Sequence, residues 1–304
     1  MPFAQSGIFA LGTASQTYLE FDLRANAEAL ALVQVIASLR EPRTTTGGVN
    51  LVVGFRPSLW ARVAPDDMPA EVKDFEREVR GVNGYTMPAT QHDLWLWVSG
   101  HAYDKVFDVA REAISALAPL ATLAIEVAGW TYKENRDLTG FIDGTENPSL
   151  SEAPDVALIP DGQPGAGGSV VLVQKWTHDA AAFEALSVEE QEKVIGRTKA
   201  DSIELDEEVR GKQSHVSRTV VEIDGVEHHI FRRNTPFGTA TEHGTMFIGF
   251  SHDQSLLARM LDRMAGAEDG IRDALTLYTT AVSGSYYFVP SVENLRRFAS
   301  EEEQ

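Results

Sequence analysis

The order of strand-like and helix-like segments in the first half of the chain constrains the fold more than any other feature. Strand–helix–strand is followed by a second strand–helix–strand, which is the split βαβ pattern of a ferredoxin-like unit with an antiparallel sheet. The apolar periodicity assigns these segments as strand 17–23, helix 26–39, strand 48–55, strand 93–99, helix 103–117 and strand 120–130.

The second half predicts a more irregular α+β unit. Ser187 and Glu190 form a capping-box sequence that opens a helix, and Asp224-Gly225 is a strong hairpin signal. The Pro- and Gly-rich stretch 147–168 indicates the boundary between the two halves of the chain. We therefore expect an α+β fold of two ferredoxin-like halves, residues 1–140 and 141–304, with antiparallel sheets flanked by helices in one body. The remaining predicted elements are strands 170–176, 216–223, 226–234 and 245–251 and helix 254–264.

The chain contains no cysteine. Disulfides, thiolate metal sites, iron–sulfur clusters, a cysteine nucleophile and covalent attachment of haem through cysteine are therefore excluded. The formal net charge is −19, from 45 acidic and 26 basic residues. Nucleic acid and anionic membrane surfaces require a basic patch, so neither is an expected partner.

No targeting or membrane-spanning segment is predicted. No Lys or Arg precedes Arg24, so the charged start of a secretory signal is missing. The apolar run 116–127 contains Pro119 and Glu126 and is too short to cross a bilayer. These features predict a cytoplasmic protein.

Asp143 lies in the run Gly-Phe-Ile-Asp-Gly-Thr-Glu-Asn-Pro between Gly140 and Pro148. Glycine permits unusual backbone conformations and lets a large flat partner approach the main chain. A simple Asx-type turn explains the same residues, so a turn and a catalytic carboxylate both remain open. The run lacks the Gly and Glu of a calcium loop, and 162–168 leads into a strand instead of the helix that a phosphate loop needs.

Arg232 and Asn234 form a second group. Alternation along the predicted strand puts both on one face with Ile230, while Arg233 points the other way. A solvated surface strand is one explanation. Together with Asp143, however, the pair supplies an acid/base, a fixed cation and an amide that could act on a small oxygen substrate.

Spacing alone selects no metal site among the eight histidines. His215 precedes the hairpin whose second strand carries Arg232. If that hairpin continued as a regular ladder, His215 would lie opposite Asn234, only about 5 Å away.

Several blocks of the sequence resemble the dye-decolourising peroxidases, in particular the compact bacterial type. The resemblance runs from about residue 129 to the C-terminus, and the first half fits the duplicated ferredoxin-like fold of that family. The blocks are 140–148 with Gly-x-x-Asp-Gly, Gly-Arg-Thr-Lys at 196–199, Ser-His-Val-Ser-Arg at 214–218, Pro-Phe-Gly-Thr at 236–239 and 284–291.

The resemblance implies non-covalent haem b with His215 as the iron ligand and Asp273 as the hydrogen-bond partner of its other ring nitrogen. It implies Asp143, Arg232 and Asn234 as catalytic residues on the distal side. A proximal ligand and a distal residue cannot be directly paired, so the ladder must break before His215 and leave it on a loop or helical turn. The residues expected to contact the cofactor are His215, Arg232, Gly144, Thr145, Glu146, Phe247 and Asp273.

The implied activity is reduction of hydrogen peroxide with one-electron oxidation of dyes, phenols or other small aromatic donors, in a homo-oligomer. Asp143 would move the proton, Arg232 would stabilise negative charge and Asn234 would position peroxide. An unperturbed Asp titrates near ~4, so such a site should tolerate acid. A chlorite dismutase-like enzyme, a haem-handling or iron-releasing protein and a purely structural module remain alternatives. Five tryptophans are candidate electron exits: Trp60, Trp95, Trp97, Trp130 and Trp176.

Overall fold

The computed structural model describes residues 2–39 and 48–299. The acidic run 301–303 of the C-terminal tail lies outside the described residues. The strands are β1 (Ser15–Leu23), β2 (Val49–Phe55), β3 (Val79–Arg80), β4 (Thr86–Met87), β5 (Leu94–Gly100), β6 (Ala121–Trp130), β7 (Ser169–His178), β8 (Val221–Ile223), β9 (Val226–His228), β10 (Phe231–Arg232), β11 (Thr235–Gly238), β12 (His243–Ser251), β13 (Thr279–Ala281) and β14 (Ser285–Val289). The α-helices are α1 (Ala29–Ser38), α2 (Pro57–Val63), α3 (Tyr103–Leu117), α4 (Ala153–Ala157), α5 (Ala180–Glu184), α6 (Val188–Ile195), α7 (Glu207–Arg210), α8 (His215–Thr219), α9 (Gln254–Ala265) and α10 (Val292–Arg296).

The same antiparallel strand order occurs twice. In the first half the order is β6-β1-β5-β2, and in the second it is β11-β12-β7-β14, with β10 and β13 as short extensions at the edges. In both halves the first and third strands of the unit are central. The predicted fold, duplicated ferredoxin-like units with helices against antiparallel sheets, is confirmed.

The two sheets are joined at both edges and enclose an apolar layer. Single bridges connect Phe237 with Gly129 and Phe288 with Phe55. Strand β5 shows how the sequence builds the layers, because its residues are buried on both faces. Trp95 and Trp97 point between the sheets, whereas the alternate residues of the strand pack against α1, α2 and α3.

A charged residue lies within this aromatic layer. The carboxyl group of Glu20 accepts hydrogen bonds from Tyr287 Oη and from Ser285 Oγ, the latter at 3.2 Å. The Tyr287 ring stacks on Trp95 with a centroid separation of 6.1 Å. Burial raises the pKa of Glu20 above its usual range, although these hydrogen bonds act in the opposite direction.

The predicted hairpin is shorter than the sequence suggested. Its turn has positive φ at Asp224 (52°) and Gly225 (79°), the conformation of a tight two-residue hairpin turn. The ladder ends at the pair Val221–His228. The strand predicted over 216–220 is wrong, because those residues belong mostly to helix α8. The expected break of the ladder is confirmed, and His215 lies on a helical turn.

Candidate active site

A cavity of about 210 Å³ lies in the second half of the chain. Its walls come from the loop 137–146, the outer faces of β7 and β12, the segment 227–234, and helices α8 and α9. The residues predicted for the site line this cavity, with one exception. Asp273 does not line it but contacts His215, which does. The predicted residues in the wall are Asp143, Gly144, Thr145, Glu146, His215, Arg232, Asn234 and Phe247.

His215 is held in one orientation by a buried carboxylate. Helix α8 begins at His215, with the Ser214 hydroxyl accepting a bond from the Ser217 backbone N–H at 3.4 Å. The His215 Nδ1 atom lies 2.7 Å from Asp273 Oδ2, and Asp273 has no exposed surface. A carboxylate acceptor fixes the ring hydrogen on Nδ1, so Nε2 carries the lone pair that can bind a metal.

Asp273 is itself held in place by two bonds to backbone groups, one through its side chain and one through its own N–H. Its Oδ1 atom accepts from the Leu275 N–H at 2.9 Å, and its own N–H donates to the Met264 carbonyl at 2.9 Å. Both carboxylate oxygens are therefore occupied. This arrangement connects the end of α9 to the ring of His215.

Helix α8 has five residues, too few to be stable alone, and a buried arginine anchors it. Arg218 makes a bidentate pair with Asp269, at 2.8 and 2.9 Å, and donates twice to the Arg263 carbonyl. Arg263 in turn donates to the Ser217 carbonyl at 2.9 Å. The histidine is thus attached to α9 through both its ring and its helix.

Asp143, Arg232 and Asn234 form the second group in the cavity. Asn234 Nδ2 donates to Asp143 Oδ1 at 3.3 Å. The Asn147 side chain accepts from the Arg232 N–H at 2.9 Å and donates to the Arg232 carbonyl at 2.8 Å. Asn147 therefore joins the Asp143 loop to the strand of Arg232. The loop turns at Gly144, whose φ of +82° favours glycine.

The polar atoms of this group are ready to bind a further molecule. Among the described residues, Asn234 Oδ1 is buried without a hydrogen-bond partner, and the charge of Arg232 acts on Asp143. Burial raises the pKa of Asp143; the charge of Arg232 opposes this and that of Asp137 adds to it. An unperturbed pKa was assumed for Asp143 from the sequence, and this assumption is wrong because the pKa is raised. The site should therefore tolerate acidic pH less well than an unperturbed Asp would allow.

The predicted alternation of the strand is confirmed by Arg233. Its guanidinium points away from the cavity, donates to the Ile8 and Ala10 carbonyls, and lies 5.0 Å from the ring centroid of Trp97. Burial lowers the pKa of Arg233 to about 10.

Several polar residues of the cavity wall were not assigned from the sequence, among them Asp137, Gln174, His178 and Thr245. Gln174 and His178 occupy alternate positions of β7, where polar residues interrupt an otherwise apolar strand, and that pattern could have indicated them. Gln174 Nε2 is buried without a partner among the described residues. Asp137 lies six residues before Asp143; one of its oxygens makes a local bond to the Thr139 N–H, but its contact with Thr245 is long-range, and no local pattern marks that contact.

The donor set suits a metal carried inside an organic ring better than a bare ion. Within residues 2–39 and 48–299, no three His, Asp or Glu side chains are grouped to hold a metal ion. One oriented imidazole is sufficient for the iron of a haem, whose ring supplies the other ligands. The wall around His215 also contains Met260, Met264, Leu275 and Phe247, which fit an apolar ring.

Of the five tryptophans, Trp130 is 37% exposed, whereas Trp60, Trp95, Trp97 and Trp176 are buried. A direct surface exit for electrons is therefore restricted to Trp130 among these candidates. In the part of the chain that the structure describes, no helix is both long and apolar enough to cross a membrane.

Comparison with known proteins gives one consistent result. The family model for the C-terminal part of Dyp-type peroxidases matches residues 134–294, and that for the N-terminal part matches residues 5–131. The dye-decolorizing peroxidase of Mycolicibacterium paratuberculosis is 39% identical over 87% of this chain and 74% of its own length. That of Brevibacterium linens is 37% identical over 91% of this chain and 78% of its own length.

Solved structures agree over nearly the whole chain. A variant of DypB from Rhodococcus jostii RHA1 in complex with haem has a TM-score of 0.91 and 36% identity, covering 98% of this chain and 100% of that one. A dye-decolorizing peroxidase from Bacteroides thetaiotaomicron has a TM-score of 0.88 and 31% identity, covering 98% of each chain.

Proposed function

The chain belongs to the Dyp-type peroxidase family, and from that premise we propose how its cavity carries out the reaction. The protein is a haem-dependent peroxidase. Haem, when bound, supplies the iron that exchanges electrons one at a time. The lack of cysteine leaves no covalent thioether attachment, so we propose non-covalent haem b.

We assign His215 as the iron ligand, through Nε2. Asp273 accepts the Nδ1 hydrogen, which makes the imidazole more electron-rich and holds the ring at one angle. Phe247, Gly144, Thr145 and Glu146 are proposed contacts of the cofactor because they line the same cavity.

The polar group on the other elements acts on hydrogen peroxide. Asn234 Oδ1, buried without a partner among the described residues, accepts a hydrogen bond from one peroxide hydroxyl. Asp143 takes the proton of one oxygen and delivers it to the oxygen that leaves as water. The guanidinium of Arg232 stabilises the negative charge that develops when the O–O bond breaks.

The reducing substrates are dyes, phenols or other small aromatic molecules. With a formal net charge of −19, the protein attracts cationic donors and repels anionic ones. Oxidation of a cationic dye should therefore slow with rising ionic strength, whereas that of an anionic dye should accelerate. If the oxidation rate of neither dye depended on salt, the net charge of the protein would not control the choice of donor.

The single observation that carries the proposal is one cavity that contains both an imidazole fixed by a buried carboxylate and the trio of Asp143, Arg232 and Asn234. The test is the absorbance spectrum of the haem-loaded protein before and after peroxide. His215→Ala should lose the spectrum of histidine-ligated haem and the response to peroxide. His101→Ala, a change at an exposed histidine, is the control.

Three results would contradict the proposal. A normal spectrum in His215→Ala would show that another residue binds the iron. Loss of iron from an intact ring, with little peroxide turnover, would favour a haem-handling protein, and fast chlorite turnover would favour a chlorite dismutase-like enzyme.

We also propose that the protein is a cytoplasmic homo-oligomer. Within each chain, we propose that the boundary between the two halves lies near residue 140. The absence of cysteine suits a reducing compartment. Exposed Phe3, Tyr103 and Phe107 offer apolar surface for a second copy of the chain. Cell fractionation and light scattering after size-exclusion chromatography test the location and the subunit number. Separate expression of residues 1–140 tests the boundary.

A further inference from the structure

Peroxide reduction needs protons as well as electrons. One hydrogen peroxide becomes two waters by taking up two electrons and two protons, and Asp143 stores at most one proton. We propose that His178, Thr245 and Asp137 form a proton route from the surface to the cavity, where it reprotonates Asp143. The inference rests on the proposed function.

A hydrogen-bond chain joins the three side chains. Thr245 Oγ1 donates to Asp137 Oδ2 and lies 3.3 Å from His178 Nε2. A hydroxyl has a single hydrogen, and here the carboxylate takes it, so the hydroxyl oxygen accepts from the Nε2–H of His178. The chain therefore has one direction, from imidazole to hydroxyl to carboxylate.

The strands fix this chain. Thr245 is paired with Trp176 across β12 and β7, so Thr245 and His178 are diagonal neighbours on the cavity face. Asp137 is held by its other oxygen, Oδ1, which accepts from the Thr139 backbone N–H at 2.8 Å. The three groups therefore keep their positions without help from a bound molecule.

The inner end of the chain faces Asp143. A bridge between Arg136 and Ile142 and a bond from the Asp143 N–H to the Asn135 carbonyl, at 3.0 Å, form a short hairpin. In that register Asp137 and Asp143 are diagonal neighbours on one face, with Cα atoms roughly 7–8 Å apart. Both line the cavity, and the charge of Asp137 acts on the carboxyl group of Asp143 and raises its pKa, so the two groups interact within the cavity.

The outer end of the chain reaches a second pocket. His178 lines both the main cavity and a neighbouring pocket of about 10 Å³, which is about the volume that one water molecule requires. Asp179 and Glu184 also line this pocket, and the ring of His243 lies 6.4 Å from that of His178. Burial lowers the pKa of His178, against the opposing charge of Asp137, so the ring is neutral near pH 7 and can pass a proton on.

The proton transfer balances atom by atom. A proton from the outer pocket binds Nδ1 of His178 as the ring gives its Nε2 proton to Thr245 Oγ1, and the hydroxyl proton moves to Asp137 Oδ2. Asp137 releases this proton to the cavity, where it reaches Asp143. The ring is left neutral with its hydrogen on Nδ1; it then takes up a proton at Nε2 and releases the one at Nδ1 to water, which restores the first tautomer, and the Thr245 hydroxyl turns back toward Asp137. No electron moves along this route.

The test compares Thr245→Val, which removes the hydroxyl and keeps the shape, with Thr245→Ser, which keeps the hydroxyl. Two rates are measured on the haem-loaded protein: kcat/KM for peroxide, and association of hydrogen cyanide with ferric haem followed by absorbance. Hydrogen cyanide must give up its proton inside the cavity, so its rate reports proton transfer without peroxide chemistry.

We expect Thr245→Val to lower both rates at least ~10-fold and Thr245→Ser to stay within about 3-fold of wild type. His178→Gln should behave as Thr245→Val and recover in added imidazole, whereas His101→Gln should match wild type. Wild-type rates in Thr245→Val, or no recovery of His178→Gln in imidazole, would overturn the route. A wild type that binds cyanide but does not consume peroxide would instead refute the peroxidase mechanism, and the cyanide rates would still decide the route.

Discussion

Replacing Asp273 by Asn tests how strongly the buried carboxylate contributes to haem binding. The wild-type carboxylate accepts two bonds, from His215 Nδ1 at 2.7 Å and from the Leu275 N–H at 2.9 Å. An Asn side chain has the same size but only one acceptor oxygen. If that oxygen keeps His215, the amide NH₂ faces the Leu275 N–H, and a buried donor loses its partner.

The expected magnitude follows from the charge and burial of this bond. A hydrogen bond to a charged group contributes about 1.5–3 kcal/mol, and each ~1.4 kcal/mol is a factor of ten, so the loss corresponds to roughly 10–150-fold. Partners of metal-bound histidines typically change metal affinity by about 10–100-fold. The imidazole also becomes less basic, so the ferric/ferrous potential should rise.

The assay is transfer of haem from the holoenzyme to an excess of a competing haem-binding apoprotein. Asp273→Asn should release haem about 10–100 times faster than wild type. Asp253→Asn is the matched control, because Asp253 caps α9 with a similar bond, to the Ser255 N–H at 2.8 Å, and does not line the cavity. A wild-type release rate in Asp273→Asn, with an unchanged potential, would refute the reasoning.

Three further predictions concern charge. Arg232→Ala should slow the reaction with peroxide more than 10-fold in stopped-flow measurements, because removal of one preorganised stabiliser of developing charge costs about 10²–10³-fold; a rate near wild type would contradict its role. Asp143 works as a base only when ionised, so activity should fall on acidification through its pKa. Because that pKa is raised, the fall should lie above pH ~4, the value of an ordinary Asp. Asp143→Asn should abolish this acidic limb of the pH–rate profile, and an unchanged limb would show that another group causes it. Glu20 keeps its proton to higher pH when folded than when unfolded, so between its unfolded pKa, near ~4.3, and its raised folded pKa the free energy of unfolding falls by up to ~1.4 kcal/mol per pH unit. Urea unfolding of Glu20→Gln should lack this slope, and parallel curves for the two proteins would show that Glu20 is ionised in the fold.

Local patterns predicted the elements whose burial is regular. The 103–117 helix was predicted with the bounds of α3, because Val106, Ala110 and Leu117 recur at helical spacing and all pack on the sheet. The alternation at Arg232 and Asn234 was also predictable, since a strand has a period of two. These predictions needed only neighbours along the chain.

Tertiary contacts decided the segment around His215 against its local preference. Val216 and Thr219 are β-branched and favour a strand, yet both lie in helix α8. The Ser214 cap that stabilises this helical turn is local, but the Arg218–Asp269 pair that anchors it joins residues far apart in the sequence. The break was still predictable by geometry, because a continuous ladder would have placed two functional residues too close together.

The proton route was not predictable for the same physical reason. Asp137, His178 and Thr245 come from three distant segments, and each is an ordinary polar residue in its own context. Strand alternation could put His178 and Thr245 on cavity-facing sides, but their contact depends on the register between β7 and β12. Register is a long-range property of the fold.

The position of the cavity follows from a difference in how helices cover the outer faces of the two sheets, which share one topology. In the first half, α1 and α3 cover the outer face of the sheet, and the residues beneath them are apolar. In the second half, the long connection 179–230 between β7 and β10 contains four short helices, of which α8 and the end of α6 contribute to the cavity wall. Outer-face residues of β7 and β12, among them Gln174 and Thr245, therefore line a cavity where the equivalent face of the first half is packed. The candidate active site occupies the place where helices do not fully cover the sheet of the second unit, so polar side chains can interrupt its strands without an unfavourable loss of packing.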